Sequence, residues 1–229
     1  MRLLSLLLAL SLTACQSGSA DPATANPAAD APETQPAANT KPPAADATQL
    51  APAPQAGESV ATFAGGCFWC MEGPFEAVDG VRAVLSGYTD GPEPGVTYKQ
   101  VSSGTTGHTE AVIVYYDPAK VTYDKLLDTF WRSMDPTDPD GQFADQGSQY
   151  RPAIFFHTPE QKTAAEASKA ALTATNRFDK PIVVPILPAK DFWVAEDYHQ
   201  DFYKTNADHY NRYKVGSGRA GFLKEKWGM

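Results

Sequence analysis

From Gln16 to Gly57 the chain is built of Ala, Pro, Thr, Ser and Asp, with scarcely an aromatic or β-branched aliphatic side chain. Such a stretch cannot bury enough apolar surface to offset the entropy lost on ordering. Any core in this 229-residue chain must therefore come from residues 58–229, a length that suits one ordinary domain. As a flexible coil of about 42 residues, the preceding stretch would reach roughly 35 Å, and its prolines would extend it further. Residues 15–57 read as a tether.

The first residues say what the tether holds. Met1-Arg2 is followed by an apolar, Ser-containing run from Leu3 to Leu12 and then by Leu12-Thr13-Ala14-Cys15, the layout of a secretory signal with a small-residue cleavage site. The run is too short to span a membrane, which takes about 20 residues. Leu-Thr-Ala-Cys resembles the lipobox of bacterial lipoproteins. The resemblance implies a signal peptide over residues 1–14 and lipidation of Cys15, several acyl chains giving tight anchoring. It places the domain in the periplasmic cell envelope, and Gln16 after the lipid-bearing residue, where enteric-type retention uses Asp, favours the outer membrane.

The formal charge of −8 comes with no polybasic run, which argues against nucleic acid, whose phosphates are met by clustered Lys and Arg. With Cys15 lipidated, Cys67 and Cys70 are the two thiols that remain, too few for a disulfide framework. Two Cys three apart in an exported chain can be a redox pair, a half-built metal site or an accident. The four His show no ligand-like spacing, and no metal is expected.

Ser59 to Ala64 is β-prone, Gly65-Gly66 makes a turn, and Cys67 to about Val78 has apolar Phe68, Met71, Phe75 and Val78 at helical spacing. This strand–turn–helix puts Cys67 at a helix N-terminus, where free N–H groups lower a thiol pKa. Val81–Tyr88 and Thr109–Tyr116 read as strands, the second apolar on both faces. Thr122 caps a helix to about Ser133, and Asp135–Tyr150 is polar and too long for a simple turn, as functional loops are. Ala153–Phe156 is a strand. Thr158-Pro159-Glu160-Gln161 opens a helix to about Leu172 with an N-cap Thr, a first-turn Pro and a capping-box Gln. Ile182–Leu187 is a strand whose Pro185 points to a sheet edge, and Val194–Tyr213 is aromatic, His-rich and suited to a short helix. The order β-α-β-β-α-β predicts an α/β (α+β) fold: a ferredoxin-like mixed or antiparallel sheet with flanking helices and a long irregular C-terminal segment.

Cys67-Phe68-Trp69-Cys70 alone would suggest a thioredoxin-like oxidoreductase, but such sites usually carry Trp before the first Cys and Gly, Pro or His between the two. Here Gly-Gly precedes and two large aromatics intervene, an apolar wall suited to an apolar substrate group. Gly66-Cys67-Phe68-Trp69 closely resembles the signature of the A-type methionine sulfoxide reductases. Three further blocks are similar to that family in order and spacing: Tyr98-Lys99-Gln100-Val101 with Gly104, Gly107 to Val112, and Asp145 to Arg151. The resemblance covers roughly residues 60–210.

It implies reduction of methionine-S-sulfoxide, free or in oxidised proteins, by Cys67 as nucleophile, which becomes a sulfenic acid. Glu110 is implied as proton donor, a role that needs a carboxyl kept protonated by burial. Tyr98 and Tyr150 are implied as hydrogen-bond donors to the sulfoxide oxygen, Phe68 and Trp69 as the S-methyl pocket, and Asp145 as a substrate-orienting group. No bound cofactor is expected; electrons would come from a thioredoxin-like or other thiol reductant, with the chain acting as a monomer.

The chain departs from the family at the resolving thiol. Many members carry that Cys in a C-terminal tail, and some in the block aligned with Ser102 or Ala144; here these are Ser and Ala, and the tail has none. Cys70 is then the intramolecular thiol left to attack the oxidised Cys67, and three positions on in a helix it shares nearly the same face. The rival is a one-Cys cycle in which an external thiol acts directly. Two other functions stay open on the residues alone: a general CxxC thiol–disulfide oxidoreductase, indifferent to Glu110→Ala, and a non-enzymatic lipoprotein binding module, indifferent to Cys67→Ser.

Overall fold

The computed structural model describes residues 48–228; Cys15, the signal segment and most of the tether lie outside the described residues. In chain order the elements are β1 (Ser59–Ala64), α1 (Trp69–Glu76), β2 (Val81–Thr89), α2 (Tyr98–Ser102), β3 (Thr109–Tyr116) and α3 (Tyr123–Trp131). There follow β4 (Gly141–Gln142), β5 (Asp145–Gln146), β6 (Ala153–Phe156), α4 (Pro159–Ala174), β7 (Ile186–Pro188) and β8 (Phe192–Val194). The chain continues through α5 (Phe202–Thr205), α6 (Ala207–Gly216) and α7 (Arg219–Trp227).

The main sheet runs β7-β6-β1-β3-β2-β8. Its inner four strands, β6-β1-β3-β2, are antiparallel throughout, which is the ferredoxin-like order expected from the element pattern. β7 lies parallel to β6 at one edge, where Pro185 and Pro188 cost no ladder bond. At the other edge β8 pairs with β2, a strand that Phe192-Trp193-Val194 is too short to announce.

β3 is buried along its whole length. Val112, Val114 and Tyr116 face the larger core, while Ala111, Ile113 and Tyr115 face the smaller one across the sheet, as strand alternation requires. On the larger side Phe63 stacks on Phe75 at 5.0 Å and on Phe130 at 5.2 Å between centroids. This stack locks α1 and α3 onto β1, and truncating such a ring to Ala costs about 3–5 kcal/mol.

The caps read from sequence form with one variation. Thr122 accepts the N–H of Lys125 and Thr158 that of Gln161, but the Gln161 side chain reaches past the cap to the N–H of His157 while donating to the Val60 carbonyl. The C-terminal segment, expected to be long and irregular, carries α5, α6 and α7. Only Tyr210 and Tyr213 of α6 and Arg219 and Leu223 of α7 are buried, too narrow an apolar stripe to mark a helix by periodicity.

The folded part also begins earlier than residue 58. The Ala51 N–H donates to the Phe192 carbonyl and the Val194 N–H to the Gln49 carbonyl, so this segment lies along β8. Thr48 bonds the Val96 carbonyl at 2.6 Å, and Tyr115 the Pro52 carbonyl at 2.6 Å. Composition assigned these residues to the tether because it registers apolar side chains, whereas backbone pairing at a sheet edge needs none.

Candidate active site

Gly65-Gly66 lets β1 deliver Cys67 to the start of α1. Gly66 has φ +79°, a left-handed conformation that costs other residues roughly 1–2 kcal/mol. A Cβ there would stand 2.5 Å from Gln142 Cβ and 2.9 Å from a guanidinium nitrogen of Arg219. Phe68 is the helix cap, so Cys67 sits just outside α1, its carbonyl accepting the Cys70 N–H at 3.1 Å. Both thiols are buried and free.

Glu110 is the second residue of β3, opposite Tyr88 of β2. Its Oε2 accepts the backbone N–H of Phe68 at 3.0 Å, which ties it to the residue that follows Cys67. The carboxyl is 2% exposed; burial pushes its pKa well above the carboxylate range, the nearby Asp145 adding to the effect against the pull of that N–H. A carboxyl in this state holds a proton at neutral pH.

The loop between α3 and β6 folds as a β4-β5 hairpin and one 3-10 turn, and supplies Asp145 and Tyr150. Asp145 accepts the Tyr213 hydroxyl, and burial raises its carboxyl too. Tyr150 is fully buried, and among the described residues its hydroxyl has no hydrogen-bond partner. Tyr98 opens α2 behind Thr97, whose N–H bonds the Gln100 side chain at 2.9 Å. Burial first, and then the neighbouring Glu110, Cys67 and Asp145 groups, push both Tyr98 and Tyr150 up, so both stay neutral phenols. Phe68 and Trp69 lie beside them, their rings 6.3 Å apart. The eight residues read from sequence as Cys67, Phe68, Trp69, Cys70, Tyr98, Glu110, Asp145 and Tyr150 thus meet in one place, while His108 is apart, its Nε2 on the Glu93 carbonyl at 2.7 Å.

Residues 59–229 match the sequence model described as Peptide methionine sulfoxide reductase. The chain belongs to the peptide methionine sulfoxide reductase family. It is similar to Peptide methionine sulfoxide reductase MsrA of Listeria monocytogenes serotype 4b, 56% identical over 167 residues that cover 73% of this chain and 94% of the Listeria one. To MsrA of Bacillus subtilis strain 168 it is 55% identical over 171 residues, 75% of this chain and 97% of the other. Among solved structures it is similar to reduced Mxr1 from Saccharomyces cerevisiae, with TM-score 0.63, 30% identity, and 69% and 90% of the two chains covered. Methionine sulfoxide reductase A of Corynebacterium diphtheriae gives TM-score 0.60 at 33% identity, covering 67% and 77%. The family makes this chain an oxidoreductase of the A type, a peptide-methionine (S)-S-oxide reductase.

Four residues of the reductase site were not singled out from the sequence. The Trp69 indole N–H donates to Nδ1 of His199 at 3.2 Å, and the His199 ring packs on Phe68 at 5.0 Å and on Tyr98 at 4.4 Å. Glu196 accepts the backbone N–H of Tyr98 at 2.7 Å and the Tyr88 hydroxyl at 2.9 Å. Tyr213 anchors Asp145, and Arg219 lies against the Gly65-Gly66 turn. All come from the C-terminal segment, where the one sequence signal was an excess of aromatic and His residues.

The two thiols share their surroundings unequally. Burial, then the hydrogen bond it gives Cys70, pushes the Cys67 thiol up. That same bond, opposed by burial and helped by the charges of Arg219 and then Lys214, brings Cys70 down to about 7. The electrostatics thus push the two thiols apart in pKa, Cys67 upward and Cys70 downward.

Proposed function

We propose that Cys67 attacks the sulfur of methionine-S-sulfoxide, free or in exported proteins, while Glu110 protonates the sulfoxide oxygen. The Cys67 proton passes to Cys70 as the S–S contact forms. The oxygen, carrying the Glu110 proton, transfers to the Cys67 sulfur, so methionine leaves reduced and Cys67 is oxidised to a sulfenic acid. Tyr98 and Tyr150 donate hydrogen bonds to the oxygen as charge develops there, Phe68 and Trp69 receive the S-methyl group, and Asp145 orients the substrate. The observation that carries this reading is the Phe68 N–H bond to Glu110, which sets a buried, proton-bearing carboxyl beside the nucleophile. Peptides bearing each sulfoxide epimer test it: reduction of the S epimer alone is expected, and reduction of neither overturns it.

Cys70 then resolves the sulfenic acid. Its sulfur bonds to that of Cys67 while the hydroxyl leaves with the Cys70 proton as water, and a thioredoxin-like reductant reopens the disulfide. One equivalent of methionine sulfoxide without reductant should consume two thiols. Normal turnover of Cys70→Ser with a thioredoxin system would rule this step out.

Lipidation of Cys15 anchors the reductase in the cell envelope, with the domain in the periplasm and the outer membrane favoured by Gln16. Cys15→Ser should lose incorporation of labelled fatty acid and leave the membrane pellet; retention of both would refute the anchor.

A further inference from the structure

Arg219 is a buried cation that the steps above do not use. It is 1% exposed, and among the described residues no carboxylate approaches it within ion-pair distance. Its Nη1 donates to the Ser133 carbonyl at 2.6 Å and its Nη2 to the Gly65 carbonyl at 3.0 Å, and among the described residues Nε has no partner. Two neutral carbonyls do not balance a buried guanidinium, whose desolvation costs several kcal/mol unless an opposite charge compensates. The face of the Phe143 ring, 4.8 Å from the guanidinium carbon, returns only part of that.

Arg219 opens α7 behind Gly218, which has φ +89°. It borders, together with Cys70, one groove of about 790 Å³ between α1, α3 and α7. The contact at Gly66 sets the guanidinium against the turn immediately before Cys67, on the side of α1 where Cys70 lies.

We propose that the counter-charge of Arg219 is the thiolate of Cys70, so that Arg219 activates the resolving thiol of this reductase. The inference rests on the reading that Cys70 resolves the Cys67 sulfenic acid. In that step Cys70, which took up the Cys67 proton as methionine sulfoxide was attacked, gives that proton to the departing hydroxyl as its sulfur attacks, so the S–S bond forms as the S–O bond breaks and water leaves. A guanidinium beside Cys70 raises the fraction of thiolate available for the attack. The electrostatics agree: after burial, Cys70 is the largest influence on Arg219, ahead of Tyr213, Cys67 and Asp145.

The experiment follows Cys70 in the full-length chain. In Cys67→Ser protein, the ultraviolet absorbance of the thiolate reports the Cys70 titration, and Arg219→Met should move its midpoint up by one pH unit or more. Arg219→Lys, which keeps the charge and loses the forked hydrogen bonds, should stay nearer the parent midpoint. In protein with both thiols, Arg219→Met should lengthen the lifetime of the sulfenic acid, trapped with dimedone after one equivalent of methionine sulfoxide, at least tenfold. An unmoved midpoint, or equal shifts in the Met and Lys variants, would reduce Arg219 to a purely structural tie and overturn the proposal. Cys70→Ser separates the two readings. If it turns over normally with a thioredoxin system, Cys70 is not the resolving thiol and both fail. If it stops that turnover while Arg219→Met does not lengthen the sulfenic acid lifetime, Arg219 alone fails.

Discussion

The backbone N–H of Phe68 donates to Oε2 of Glu110 at 3.0 Å, joining a helix cap on α1 to the second residue of β3, 42 positions away. The bond fixes the carboxyl beside Cys67 and occupies one of its oxygens, so the other is the one free to carry the proton. Burial of Glu110 and its N–H bond act in opposite directions, and burial is the larger.

Glu110→Gln keeps an acceptor for the Phe68 N–H but has no acidic proton to give. Turnover should fall by about 10²–10⁴, the usual worth of a general acid, with little change in melting temperature. On the proposed mechanism, activity of the parent enzyme belongs to the protonated carboxyl. It should be present on the acid side and lost as pH rises through the elevated Glu110 pKa, a limb that a pH–rate profile would reveal and that the Gln variant should lack.

His199 must be neutral to accept the Trp69 N–H on Nδ1, and burial holds its pKa down to about 3. Its imidazole should therefore show no titration by NMR between pH 5 and 8. Because an unfolded His binds a proton below its ordinary 6.5 and this one does not, it should withdraw stability as pH falls below that value. His199→Phe leaves the indole N–H unpaired, a loss of about 1–3 kcal/mol, and should raise KM more than it lowers kcat.

Glu72 on α1 is 1% exposed. Its Oε1 accepts the Asp201 N–H at 3.3 Å, and burial pushes its carboxyl up to about 8. Between its ordinary 4.5 and about 8 the folded chain holds a proton that the unfolded chain releases. Stability should then decline with rising pH by up to about 1.4 kcal/mol per unit. Glu72→Gln should flatten that slope in denaturant titrations run across this range; an unchanged slope would show that Glu72 does not hold the proton.

Gly66→Ala should destabilise the protein by about 2 kcal/mol or more, from left-handed strain together with the contact on Gln142. Calorimetry would measure it. Gly57→Ala is the comparison, with φ +84° but no atom within 4 Å of the added Cβ, and should cost only the strain.

Much of this was legible locally. Thr109–Tyr116 alternates two apolar sets and becomes the fully buried central strand; Thr158-Pro159 caps and starts α4 as read. Pro185 marked an edge, but the strand itself is Ile186–Pro188, because pairing with Phe155 and its neighbours sets the limits. β8 and the segment from Thr48 were not legible, since each is ordered by main-chain bonds to its partner. A short helix was expected within Val194–Tyr213, but the polarity of α6 and α7 hid how far the helices run that hold Asp145 and the Gly65 turn through single polar side chains.

The sequence by itself determined the sulfur chemistry and the ferredoxin-like strand order, because a Gly turn opening a helix, paired Cys and strand alternation are properties of neighbouring residues. Tertiary structure alone decided the state of each group. The Glu110 proton depends on burial, the Trp69 indole on His199, 130 residues on, and the Gly65 turn on Arg219, whose hydrogen bond to its carbonyl spans 154 residues. Desolvation and Coulomb forces act through distance in space, and no spacing along the chain encodes it.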